Sequence, residues 1–202
     1  MRKPIWVFLS QFQNKKGYRT IINGIRELLK TYLEKAKISE YIGLILLEFT
    51  TNAENVRFKE IAESIFPQNK NIENLIFSRC IREQVYSRLA EKEDYLYLTW
   101  KICGKSTSIG TENRLQIILF NQEYDYETIK KEIDDKIEID LQEKSLIDFY
   151  EQLPDQKKGM ELGLYYLSYL QDACKEQNIR FDSFVSRLRS SDLTVINLSL
   201  QF

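Results

Sequence analysis

Apolar positions recur along this chain with two different periods. In five segments they return every three to four residues, which predicts amphipathic helices. These segments are residues 18–37, 40–66, 72–89, 126–149 (as one or two helices) and 162–177. In five other segments β-branched and aromatic side chains dominate, which predicts strands. These are residues 5–12, 95–102, 115–120, 179–186 and 193–200.

The order of these elements predicts an α+β fold. Helices with one apolar face need a surface to bury it, so we expect them to pack on one face of a mixed, largely antiparallel sheet. Residues 95–102 and 115–120 predict a β-hairpin. Ser39 precedes the second helix and is predicted to cap its N-terminus. No repeat or linker interrupts the chain, so residues 1–202 are expected to form a single domain.

Charge and composition exclude several classes of function. Lys plus Arg number 29 and Asp plus Glu number 30, so the net charge of -1 gives no reason to expect nucleic-acid binding. The apolar run near the N-terminus ends at Leu9, and no run is long enough for a membrane span, so we expect a cytoplasmic protein. The chain has no histidine, which excludes a histidine general base and a Ser-His triad.

Two polar residues stand one turn apart on the otherwise apolar second helix. Glu48 and Asn52 have the i, i+4 spacing that puts both side chains on one face. A carboxylate in an apolar setting needs a partner. The pair therefore either borders a cleft or forms a satisfied polar contact at the edge of the core.

The segment Glu48-Phe-Thr-Thr-Asn52-Ala53 resembles the Glu-x-x-x-Asn-Ala motif of a known ATP-binding domain. This is the GHKL or Bergerat fold shared by histidine kinases, gyrase and anti-sigma serine kinases. The resemblance implies that Asn52 holds a magnesium ion on the phosphates and that Glu48 orients water as the catalytic residue. It also implies that Arg57 or Lys59 is the basic residue that often follows the asparagine by a few positions.

Further matches to the same family occur downstream. Residues 159–164, Gly-Met-Glu-Leu-Gly-Leu, resemble its phosphate loop, which implies nucleotide contacts for Gly159, Glu161 and Gly163. The last strand resembles the strand that places a threonine near adenine, here Thr194. The strand before residue 121 stands where the family reads adenine with an aspartate, a role that would pass to Asn121, or to Asp125 in a shifted register. The implied cofactor is Mg-ATP.

Two departures from the family's motifs weaken that cofactor assignment, and the alternative is a chain that holds no cofactor. Residues 121–125 contain no glycine, although the family's adenine-reading motif has two. Glu161 replaces the middle glycine of the phosphate loop. A carboxylate about 4 Å from one phosphate charge, at an effective dielectric of about 20, costs roughly 4 kcal/mol. The resemblance therefore implies a degenerate site.

The favoured hypothesis is a bacterial signalling regulator, a pseudoenzyme that binds a partner protein as anti-sigma and related switch proteins do. It would have little or no ATP turnover, and the loop from Pro154 to Gly159, a lid in the family, would contribute to recognition. One alternative is an active Mg-ATP-dependent serine-type protein kinase. The other is an unrelated α+β binding module in which Glu48 and Asn52 only pack. The sequence names no partner and leaves the oligomeric state open.

Overall fold

Segments with helical apolar spacing form helices in the computed structural model. The structure describes residues 5–11, 15–68, 78–91, 97–105, 114–122, 126–137, 162–188 and 193–202. Its helices are α1 (Lys15–Glu27), α2 (Ala36–Ile65), α3 (Arg79–Glu91), α4 (Tyr126–Ile137) and α5 (Leu162–Glu176). A π-helical turn, Leu28–Tyr32, continues α1. The predicted helical segments 72–77 and 138–149 lie outside the described residues.

Segments rich in β-branched and aromatic residues form an antiparallel sheet. The strands are β1 (Ile5–Gln11), β2 (Tyr97–Lys105), β3 (Arg114–Gln122), β4 (Arg180–Leu188) and β5 (Leu193–Gln201). Their order in the sheet is β1-β2-β3-β5-β4, and each neighbouring pair is antiparallel. The α+β class and the β2–β3 hairpin predicted from the sequence are confirmed.

The core lies between the helices and one face of this sheet. On β3 and β5, residues that pair across the strands alternate strictly between the two faces. Ile117 pairs with Leu198 and Leu119 pairs with Ile196, and all four side chains are buried against the helices. The buried helical residues that meet them include Ile42, Ile45 and Phe49 of α2 and Leu167 and Leu170 of α5.

Helices α1 and α5 pack on two sides of α2, and both run antiparallel to it. On one side, Ser39 at its start contacts Arg26 near the end of α1. On the other side, Lys37 pairs with Glu176 at 3.2 Å, and the ring of Tyr41 lies 5.8 Å from that of Tyr166. The N-terminal turn of α5 therefore points toward the middle of α2.

The predicted cap of α2 is wrong. The helix begins at Ala36, its N-cap position is Lys35, and no side chain caps it. Ser39 lies inside the first turn, where its hydroxyl donates to the carbonyl of Arg26 at 2.8 Å. The hydroxyl therefore donates to a carbonyl of α1, whereas a capping serine accepts from a backbone N–H of its own helix. None of the helices in the described ranges is long and apolar enough to cross a membrane.

Candidate functional site

Glu48 and Asn52 lie on the flank of α2, between its buried and its outward face. Both residues are half-buried, and one carboxylate oxygen of Glu48, Oε1, is shielded from solvent. Between them the hydroxyl of Thr50 donates to the carbonyl of Leu46 at 2.7 Å, so this buried hydroxyl has its hydrogen-bond partner within the helix. Arg57 follows on the same helix, and its side chain lies outside the described part of the structure.

Two other predicted site residues are brought together by strand register. Asn121 near the end of β3 pairs with Thr194 near the start of β5, and Thr194 is buried. This backbone pairing puts both residues at one end of the two central strands. The side chain of Asn121 is outside the described part of the structure. The nucleotide roles of both residues stay predictions.

Of the predicted phosphate loop, residues 159–164, the structure describes only residues 162–164. Gly163 belongs to the first turn of α5, which begins at Leu162. Because α5 is antiparallel to α2 and Tyr166 lies beside Tyr41, Gly163 lies toward the level of Glu48. Gly159, Glu161 and the loop from Pro154 to Gly159 lie outside the described residues. Any phosphate contact of this loop remains a prediction.

A buried ionic cluster on α2 and α3 was not found from the sequence. The Glu54 side chain is 4% exposed, and its Oε1 lies 2.7 Å from Nη2 of Arg82. Nη1 of Arg82 donates to Oδ1 of Asn55 at 3.2 Å, and the Tyr86 hydroxyl donates to Glu54. The Arg82 guanidinium also lies over the Phe58 ring, 4.7 Å from its centroid. These residues form what we call the Glu54–Arg82 cluster.

The cluster changes the acidity of the tyrosines around it. Burial, followed by the hydrogen bond to Glu54, raises the pKa of Tyr86. Burial and the charge of Glu54 also raise the pKa of Tyr18 on α1. Glu54, Arg82 and Tyr86 all have partners inside the cluster, which joins α2 to α3. The sequence shows Arg82 and Tyr86 one turn apart, but it contains no signal that identifies Glu54 as their partner.

A second feature on α2 is a groove that it shares with α1. We call it the α1/α2 groove, and it encloses about 350 Å³. Leu44 and Leu47 of α2 are 39% and 38% exposed there, which is high for leucines on an otherwise buried helix. Charged side chains border it, namely Arg19 and Arg26 on α1 and Glu40 on α2.

Within the described residues, no cluster of three or more His, Cys, Asp or Glu side chains could hold a metal ion. Magnesium prefers octahedral oxygen coordination and takes few ligands from the protein when it binds with phosphates. The carboxamide of Asn52 would supply one such ligand, and the remaining ligands would be phosphate and water oxygens. The donor set therefore fits a magnesium ion only together with a nucleotide.

Comparisons with known proteins identify the family. The model described as "Family of unknown function (DUF8084)" matches residues 1–202. This chain belongs to that family. A similar protein of Treponema pallidum (strain Nichols), named "Uncharacterized protein", is 32% identical over 203 residues. The alignment covers 100% of this chain and 52% of that relative, so the chain spans about half the length of the relative.

Among solved structures, this fold is similar to a chain in "The crystal structure of SiaB-SiaC complex from Pseudomonas aeruginosa". The TM-score is 0.46 and the sequence identity 10%, with 98% of this chain and 89% of that chain covered. The match therefore extends over nearly the whole chain, but the two backbones do not superpose closely.

Proposed function

We propose that this family member is a regulatory signalling module with a histidine-kinase-like ATPase fold, spanning residues 1–202 as one domain. It acts by binding a partner protein and turns over little or no ATP. The observation that carries the proposal lies at the end of the central strands. Asn121 is paired with Thr194 there, where the resemblance expects the adenine pocket, yet residues 121–125 contain no glycine. A base needs close approach to the backbone, which glycine permits and larger residues hinder.

The rest of the predicted site supports the same proposal. Glu48 and Asn52 are half-buried one turn apart on α2, which supports a helix that is kept as a scaffold without a live nucleotide site. Glu161 adds a negative charge to the predicted phosphate loop, which opposes triphosphate binding.

Calorimetric titration with Mg-ATP and Mg-ADP tests the proposal. We expect no saturable heat up to about 5 mM nucleotide, from protein whose fold is verified by circular dichroism. Asn52→Ala is the diagnostic variant, and Thr51→Ala, on the same turn, is its matched control. Micromolar binding that Asn52→Ala removes and Thr51→Ala retains would overturn the proposal. It would favour an active Mg-ATP-dependent serine-type kinase, for which the retained Glu48/Asn52 pair is the supporting observation.

A further inference from the structure

The outward face of α2 continues along the whole helix but is covered only in part. Its residues follow helical spacing, and they are Glu40, Leu44, Leu47, Thr51, Glu54, Phe58 and Ala62. Helix α3 covers the C-terminal part, where Phe58 and Ala62 are 0% and 1% exposed. The N-terminal part, from Glu40 to Leu47, forms one wall of the α1/α2 groove.

Arg19 forms a side-chain hydrogen bond with Tyr18, but the charges that border this groove are not neutralised by an ion pair within the described residues. Arg19, Arg26 and Glu40 form no ion pair with any residue in the described ranges. Gly43 lets the stem of Arg26 lie directly on α2, because a Cβ at that position would come within 2.5 Å of the Arg26 Cδ. Two cations and one anion therefore surround two exposed leucines.

The charges and leucines of this groove are arranged so that two copies of the surface can pair with each other. In a two-fold contact the same patch serves on both protomers, so residue i meets j and residue j meets i. If two α2 helices cross antiparallel between Leu44 and Leu47, residue 40 of one protomer lies opposite residue 51 of the other. Arg19 lies beside that end of α2, because it lines the groove together with Leu47 and because α1 runs antiparallel to α2. Glu40 of each protomer would then meet Arg19 of its partner.

We infer that the α1/α2 groove is a homodimer interface, in which Leu44 and Leu47 pack on their symmetry copies and Glu40 pairs with Arg19 across the two-fold axis. Its occupant is a second copy of this chain. The inference does not depend on nucleotide binding or on the identity of any other partner.

The size of the surface sets the strength of the dimer. Helix α1 has 13 residues, hence a length of about 20 Å, and two adjacent helices are about 20 Å wide. The footprint of about 400 Å² per protomer is half of the roughly 800 Å² typical of a stable interface. The dimer is therefore weak, and it forms and dissociates with protein concentration.

Sedimentation of charge-swapped variants tests this interface. Glu40→Arg places an arginine opposite Arg19, and Arg19→Glu places a glutamate opposite Glu40, so each variant alone associates about tenfold more weakly than wild type. In an equimolar mixture of the two variants, both contacts of the heterodimer join opposite charges. We expect the mixture to associate within about threefold of the wild-type strength.

Leu47→Asp removes the apolar centre, and Phe184→Asp is the matched control, since Phe184 is 48% exposed on β4. We expect Leu47→Asp to abolish association and Phe184→Asp to leave it unchanged, with circular dichroism confirming that both variants fold. A wild-type protein that stays monomeric up to about 0.5 mM would overturn the inference. So would a mixture of charge-swapped variants that associates no better than either variant alone.

Discussion

The two halves of the outward face of α2 have similar sequences but different surroundings. Each half has a glutamate followed within eight residues by large apolar side chains, Glu40 before Leu44 and Leu47 in one half and Glu54 before Phe58 in the other. Helix α3 covers the second half, where Arg82 neutralises Glu54 and lies over the Phe58 ring. In the first half Glu40 is exposed and the leucines remain more than one-third exposed.

This difference separates two uses of a charge on a helix. A buried carboxylate must have a partner, and removing that partner leaves an uncompensated charge in the interior. An exposed carboxylate at the edge of an apolar patch contributes little to stability but directs which surface it meets. The covered half of α2 therefore stabilises the monomer, and the open half is available for association.

The largest expected effect comes from removing Arg82. Arg82→Ala leaves Glu54 buried without its cation, and we expect a loss of about 3–5 kcal/mol in the free energy of unfolding. Urea denaturation followed by circular dichroism measures it. The matched control is Arg79→Ala on the same helix, whose ion pair with Glu83 is exposed, and this variant should unfold at the same urea concentration as wild type. Equal midpoints for the two variants would contradict the structural role of the cluster.

The next contrast compares apolar side chains on the two halves. Phe58 is fully buried, and Phe58→Ala leaves a cavity beneath Arg82 that should cost about 3 kcal/mol or more. Leu47→Ala removes a side chain that is 38% exposed, and at protein concentrations that keep the chain monomeric it should cost less than about 1 kcal/mol. Chemical denaturation of dilute protein gives both values. A larger loss for Leu47→Ala would mean that the open half also belongs to the core.

Tyr86 provides a smaller, pH-dependent effect. Because the folded state raises the pKa of Tyr86, it retains a proton that the unfolded chain releases above about pH 10. The stabilisation from this group is complete below that pH and is lost as the pH rises further. Tyr86→Phe removes the hydrogen bond to Glu54, at a cost of about 1.5–3 kcal/mol near pH 8.

The same substitution should make unfolding less sensitive to alkali. Stability curves of wild type and Tyr86→Phe at pH 8 and at about pH 10.5 give the comparison, and the gap between the two proteins should narrow at the higher pH. A gap that widens with pH would show that Tyr86 is not held protonated by its surroundings.

Two helical glycines give the smallest effect. A Cβ on Gly24 of α1 would meet nothing within 4 Å, so Gly24→Ala should stabilise the protein by about 0.5–1 kcal/mol through helix propensity. A Cβ on Gly43 would displace the stem of Arg26 from α2, so Gly43→Ala should gain less than Gly24→Ala. Thermal unfolding of the two variants compares them. A gain for Gly43→Ala equal to that for Gly24→Ala would show that Arg26 moves aside without cost.

Local periodicity was enough to predict the main helices and strands within the described ranges. Helical spacing identified α2 and α5, alternation and β-branched content identified the strands, and their order indicated the α+β class. Ser39 shows the limit of local reasoning, because its hydroxyl bonds to the carbonyl of Arg26 on another helix. The Glu54–Arg82 cluster shows the same limit. Asn55 and Arg82 are 27 residues apart, Glu54 and Tyr86 are 32 apart, and no spacing rule connects them.

Short sequence motifs predicted the individual residues of the candidate site but not their arrangement in space. The register that pairs Asn121 with Thr194 depends on β3 and β5 being neighbours, which strand order in the sequence does not determine. The α1/α2 groove left no motif, since its exposed leucines belong to the same apolar pattern as the buried residues around them. Only the positions of α1 and α3 separate the covered half of α2 from the open half.

Disulfide cross-linking tests the contrast between the two halves most directly. In a background of Cys80→Ser and Cys103→Ser, Leu44→Cys and Leu47→Cys place a thiol beside the expected two-fold axis. A disulfide requires Cα atoms within about 7 Å, so only positions near the axis join to their own copies. The control is Leu188→Cys, at a site 44% exposed on β4. The account predicts that Leu44→Cys or Leu47→Cys forms a covalent dimer faster as protein concentration rises, while Leu188→Cys stays monomeric. Cross-linking at Leu188→Cys that matches or exceeds both α2 positions would contradict it.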